Sequence, residues 1–69
     1  MRYYVTNENL IPLHEQPQKG YTKLQAVERA QREVKYCIEL FGGSFKDYKN
    51  YFHIMDSNFH YVEELDNAI

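Results

Sequence analysis

The chain has no tryptophan and a single cysteine, Cys37, among its 69 residues. One cysteine excludes an intrachain disulfide framework and the cysteine pairs of common zinc sites. No apolar run approaches the roughly 18 residues that a membrane-spanning helix needs. The start of the chain, Met1 to Val5, also lacks the apolar segment of a secretory signal. These absences predict an unprocessed cytoplasmic protein that depends on its own apolar core.

The length of the chain allows one domain at most. Hydrophobic residues make up 43% of the sequence and aromatic residues 16%, which is enough to build a small core. We therefore expect a single folded domain over residues 1–69, without room for a second domain that would enclose a substrate.

A long amphipathic helix is predicted at about residues 23–41. Thr22 and Gln25 have the spacing of a capping box, and Gly42 stands where a glycine commonly ends a helix. Apolar residues recur every three or four positions and would pack on the rest of the domain. They are Val27, Ala30, Val34, Cys37 or Ile38, and Phe41.

The segments on either side of this helix form a weak internal repeat. The run from Tyr3 to Leu13 aligns without gaps on the run from Phe52 to Val62. Each contains a β-rich stretch, an Asn/Asp-x-Asn turn and a second apolar stretch. This pattern predicts two hairpins with three-residue loops and an asparagine in the left-handed conformation. The predicted fold is α+β in ββαββ order, an antiparallel sheet of two hairpins with one helix packed on one face, and residues 64–69 are expected to form a loose tail.

Residues 45–63 also allow a helical interpretation. Phe45, Tyr48, Phe52 and Met55 have helical spacing, and Ser44 begins a capping-box pattern. In this interpretation a further helix would carry the apolar stripe Phe59, Val62, Leu65 and Ile69, and the protein would be mostly helical. We favour strands for residues 51–63 because this run is rich in aromatic and β-branched residues and resembles the first repeat. A short helical turn at 45–49 is compatible with both interpretations.

Alternation along the second hairpin sorts its side chains onto two faces. Phe52, Ile54 and Val62 match the apolar stripe of the helix. The opposite set would face away from the helix and contact a second copy, another protein or stacked bases. Its members are Tyr51, His53, Met55, Phe59 and Tyr61. The alternative, favoured by the small size of the domain, is that the faces are inverted and this set forms the core.

Charge makes nucleic acid a less favoured partner. Eight basic and ten acidic residues give a net charge of −2, whereas nucleic-acid binders usually carry a basic excess. Four of the eight basic residues lie on the predicted helix. If the chain does bind nucleic acid, the candidate phosphate contacts are Lys23, Arg29, Arg32 and Lys35.

No pattern in the sequence indicates catalysis, a cofactor or a metal. His14, His53 and His60 lack a third ligand of evident origin, and no nucleophile–base pair occurs. Cys37 lies on the apolar side of the helix, which predicts a buried, inert thiol. We therefore expect that the protein is not an enzyme.

With the Tyr3–Asn9 and Phe52–Val62 runs around one charged helix, the chain resembles the small uncharacterised proteins of Gram-positive bacteriophages and prophages. The resemblance implies an accessory role in binding a host or phage macromolecule, and it transfers no functional residues. We expect an interaction domain that binds another protein or forms a homodimer. The alternative is a nucleic-acid-binding module that uses the helix cations and the sheet aromatics.

Overall fold

Two short strands and one long helix form the frame of the molecule in the computed structural model, which describes all 69 residues. The elements are β1 (Tyr3–Thr6), α1 (Lys23–Phe41), α2 (Phe45–Tyr48), β2 (His53–Asp56) and α3 (Glu63–Asp66), with a 3₁₀ turn over Lys49–Tyr51. The fold is thus a small mixed α+β structure with one antiparallel sheet. None of its helices has both the length and the apolar character needed to cross a membrane.

The boundaries of α1 confirm the predicted helix. The Thr22 hydroxyl accepts a hydrogen bond from the Gln25 backbone N–H, and the Gln25 side chain accepts one from the Thr22 N–H. This reciprocal capping box satisfies two of the N–H groups that a helix leaves unpaired at its start. At the other end Gly42 has a φ of 75°, a conformation that glycine adopts without steric cost.

Val5 and Ile54 lie opposite each other where β1 and β2 pair. The same two residues correspond to each other in the internal repeat. A local two-fold axis therefore passes through this pair, perpendicular to the sheet, and relates the two repeats. α1 covers the sheet on the side where both side chains are fully buried.

Three backbone hydrogen bonds occur at corresponding positions in the two repeats. The N–H groups of Asn7, Leu10 and Leu13 bond the carbonyls of Ile11, Asn7 and Val5 at 2.9, 3.0 and 2.9 Å, and the corresponding bonds from Asp56, Phe59 and Val62 have the same three lengths. The weak sequence repeat is therefore also a repeat of local structure.

The predicted ββαββ order with two hairpins is wrong in its number of strands. Each returning segment makes one isolated bridge, Thr6 to Pro12 or Met55 to Tyr61, and forms no further strand. Pro12 has no N–H to donate, and Val62 is followed at once by α3. The helical alternative is wrong for residues 53–56, which form β2, whereas the short helix α3 over Glu63–Asp66 agrees with its second apolar stripe at Leu65 and Ile69.

The predicted asparagines do not occupy the left-handed position of the loops. Leu10 and Phe59 do, with φ values of 62° and 63°. Asn7 and Asp56 lie three residues before these positions. The side-chain oxygen of each accepts two backbone N–H groups of its own loop at 2.8 to 3.1 Å. These bonds hold the loop in a turn followed by a bulge. The positive φ therefore falls on the third residue after Asn7 or Asp56, which is Leu10 or Phe59.

Residues 64–69 do not form the expected loose tail. Leu65 and Ile69 are 9% and 8% exposed and belong to the core cluster with Val5, Ile54 and Ala30. Only three residues of α1, Ala26, Ala30 and Val34, are buried, and their small size brings the helix close to the sheet. A core this small uses the last turn of the chain to cover its side.

Replacing Leu65 with alanine should lower the free energy of unfolding by about 2–3 kcal/mol, because a packed side chain leaves a cavity. The matched control is Leu24→Ala on the exposed surface of α1, which should change it by less than about 0.5 kcal/mol. Urea denaturation of the two variants measures the difference. Equal stability of both variants would contradict the packing of the C-terminal turn.

Candidate interaction site

The face of the sheet away from α1 carries part of the aromatic set predicted as a contact surface. Phe52 and Ile54 are buried in the core, with Val62 packed against it, so the inverted face assignment is wrong. On the opposite face Met55 is also buried and His53 is half-buried. Tyr51, Phe59 and Tyr61 are exposed. The predicted row of five is therefore not continuous in solvent.

Tyr61 lies over this face. Its ring meets the His53 imidazole edge to face, with the centroids 5.6 Å apart. A hydrogen-bonding interaction with the Asp66 carboxylate raises the pKa of the Tyr61 hydroxyl, and partial burial contributes in the same direction. Tyr61 thus joins the open face of the sheet to the C-terminal turn.

The Asp66 carboxylate is the centre of a polar cluster at the edge of β2. Its Oδ2 lies 2.6 Å from Nδ1 of His53, and its Oδ1 accepts the Ile54 backbone N–H at 2.6 Å. The Asp66 side chain is only 10% exposed, so these donors replace most of its hydration. One carboxylate therefore connects α3 to two successive residues of β2.

The corresponding edge of β1 is closed by a different side chain. Gln16 accepts the Val5 N–H at 2.8 Å and donates to the Val5 and Leu13 carbonyls at 2.9 and 2.8 Å. Tyr21 exchanges two backbone hydrogen bonds with Tyr3 further along the same edge. Both outer edges thus have partners within the chain, so a homodimer that joins sheet edges would first have to displace them.

Sequence reasoning missed both Gln16 and Asp66 as edge residues. The gap-free alignment places Gln16 opposite Leu65, one residue before Asp66. The repeat would have revealed the pair if it had been extended three residues beyond Leu13 and four beyond Val62, with a one-residue shift allowed.

The four helix cations differ in their surroundings. Lys23, Arg32 and Lys35 are exposed. The Arg29 guanidinium instead donates to the His14 and Glu15 carbonyls at 2.9 Å, to the Tyr21 hydroxyl at 3.0 Å and to Glu33 at 2.7 Å. Burial opposes its charge, but the bonds to Tyr21 and Glu33 outweigh this effect and raise the pKa of Arg29. Arg29 therefore fastens the loop before α1 to the helix.

The C-terminal end of α1 presents three large side chains to solvent. Tyr36 and Leu40 are each 56% exposed and Phe41 is 75% exposed. Tyr36 and Leu40 are neighbours one helical turn apart, whereas Phe41 projects about 100° around the helix from Leu40. We call these three residues the α1 patch. The adjoining end of the helix is braced by the Tyr48 hydroxyl, which donates to the Gly42 carbonyl.

The remaining candidate groups lie apart from one another. Burial raises the pKa of the half-buried Cys37 thiol, which lowers its nucleophilic thiolate fraction. The Nδ1 atom of His60 is 4.0 Å from Asp56, and the His14 side chain is exposed. No three His, Cys, Asp or Glu side chains are grouped as metal ligands.

Comparison of the chain with protein-family models, curated proteins and solved structures finds no match. The functional argument therefore depends on the geometry of these surfaces.

Arg29→Gln should lower the free energy of unfolding by about 1–2 kcal/mol, because the charged bonds to the His14 and Glu15 carbonyls are lost. Arg32→Gln removes the same charge from an exposed position of α1 and should change stability by less than about 0.5 kcal/mol. Chemical denaturation compares the two. Equal effects would show that charge, not the loop contact, is what matters at Arg29.

Tyr61 should ionise above the ordinary tyrosine value of 10.0, since its pKa is raised in the folded protein. Because the folded pKa is the higher one, the contact stabilises the fold fully below the unfolded pKa and is lost as pH rises through the folded pKa. Ultraviolet titration of wild type against Tyr61→Phe isolates this transition. Asp66→Asn should return it toward 10.0, and an unshifted Tyr61 would contradict the interaction.

Proposed function

We propose that the chain is a small non-enzymatic interaction domain that binds a protein partner through the α1 patch. The observation that carries the proposal is the position of Phe41. It lies on the same side of α1 as the buried residues Ala30 and Val34, seven residues beyond the latter, yet it is 75% exposed. An apolar side chain on the core-facing side of a helix, with no core over it, supports a surface that a partner covers.

The exposure of Phe41 follows from the mismatch between helix and sheet. The 19 residues of α1 span about 28 Å, whereas four-residue strands span about 14 Å. The last turns of α1 therefore extend past the sheet, where only α2 and the 3₁₀ turn accompany them. Tyr36 and Leu40 widen the apolar surface on the neighbouring side of the helix.

Other features support a binding role of this kind. Tyr51, Phe59 and Tyr61 are exposed aromatic residues of the predicted contact set and supply a second group of positions to test. The resemblance to small phage and prophage proteins supports an accessory role in which the partner is a host or phage protein. The first experiment tests whether the chain binds a second copy of itself through the same patch.

Leu40→Ser with Phe41→Ser should abolish partner binding while the fold stays intact, because both side chains are exposed in the free chain. Light scattering over a range of concentrations measures self-association of wild type and variant. If wild type is monomeric, the immobilised proteins are used to capture partners from a Gram-positive bacterial lysate with and without nuclease. The matched control is Leu24→Ser, an exposed leucine at the other end of α1.

The proposal requires that wild type and Leu24→Ser either dimerise or capture the same protein. The patch variant should do neither. A monomer whose captured proteins are the same for all three baits would overturn the α1 patch as the binding surface. Capture that disappears after nuclease treatment, or that Arg32→Gln and Lys35→Gln weaken, would indicate the nucleic-acid alternative instead.

A further inference from the structure

The two equivalent edges of the sheet are closed by side chains of different chemistry. The Gln16 amide both accepts from the Val5 N–H and donates to the Val5 carbonyl. The Asp66 carboxylate accepts from the Ile54 N–H and from His53, and it has nothing to donate. Val5 and Ile54 correspond in the repeat, so the chain contains a matched pair of edges, one closed by a neutral group and one by an anion.

The anionic closure also holds core residues in place. Asp66 follows Leu65 directly and lies three residues before Ile69, and both are buried. Its carboxylate is the side chain through which α3 contacts the polar groups of β2. Loss of its negative charge weakens the short bonds to His53 and Ile54 together, because hydrogen bonds to an ionised acceptor are the stronger ones.

We propose that Asp66 is an acid-sensitive latch: protonation of its carboxylate releases residues 63–69 from the outer edge of β2, while the Gln16 edge of β1 stays closed. Release uncovers the Ile54 N–H and withdraws Leu65 and Ile69 from the core. The inference does not depend on the α1 patch, because none of its three residues takes part in the contacts of Asp66 with β2.

The groups around the latch determine the direction of the response. His53 faces Asp66 from β2, Tyr61 faces it from the returning segment, and Glu63 and Glu64 lie on α3 itself. The contact from α1 is uncharged, since Gln31 donates to the Ala68 carbonyl at 3.4 Å. A protonated His53 attracts the carboxylate more strongly, so acidification opens the latch only when Asp66 itself takes up a proton.

Amide hydrogen exchange followed by NMR tests the latch within one molecule. The protection of the Ile54 and Val5 amides, corrected for intrinsic exchange, is measured from neutral pH down to about pH 3.5. We expect the Ile54 protection to fall by at least about tenfold relative to that of Val5. Equal loss of protection at both amides would indicate global unfolding and would overturn the proposal. Unchanged protection at Ile54 would overturn it as well.

Two variants sharpen the experiment. In Asp66→Asn the amide oxygen still accepts the Ile54 N–H but does not titrate, so the ratio of the two protections should become independent of pH. In His53→Gln the carboxylate loses the imidazole whose Nδ1 lies 2.6 Å from its Oδ2, so Ile54 should lose protection at a higher pH than in wild type. If Asp66→Asn retains the wild-type response, another group opens the edge and the latch is overturned. If that variant does not fold, wild type and His53→Gln still decide the question.

Discussion

The Val5–Ile54 pair, buried between the sheet and α1, is the contact on which the rest of the fold depends. Its two side chains are fully buried, lie opposite each other and mark the local two-fold axis between the repeats. Ala26, Ala30 and Val34 pack on this side of the sheet because their side chains are small enough for the helix to come close. The strand–loop–return units extend from this centre in opposite directions and make the same hydrogen bonds.

Backbone groups of the returning segments and of Tyr21 pair with most of the outer edges of β1 and β2, but the N–H groups of Val5 and Ile54 lack backbone partners. The chain pairs them with single side chains, Gln16 on β1 and Asp66 on β2, and ties the loop before α1 to the helix through Arg29. These polar contacts matter more here than in a large domain, because the apolar core that accompanies them is small. The same short sheet leaves the end of α1 uncovered. The small size of the sheet therefore explains both the side-chain contacts of Gln16 and Asp66 and the exposure of the α1 patch.

The candidate site could be predicted from the sequence only where the signal was local. Alternation correctly separated Ile54 from His53, because successive strand residues always point to opposite faces. It did not indicate that Tyr61 lies over His53, which depends on where the returning segment places its ring. The sequence placed Arg29 on the charged face of the helix, but the two carbonyls that its guanidinium binds belong to a loop fourteen and fifteen residues earlier in the chain. Phe41 looked like a core residue because its spacing carries no information about how far the sheet extends.

The sequence by itself determined α1 and its capping box, the α+β class and the correspondence between the two flanking runs. Each of these depends on residues close together in the chain or on a simple repeat of side-chain types. Tertiary structure decided that the returning segments pair only once, that Leu65 and Ile69 close the core, and that Asp66 meets His53. These outcomes depend on which surface remains uncovered after α1 packs on β1 and β2. That remaining surface is a property of the assembled elements, and no single segment of the chain encodes it.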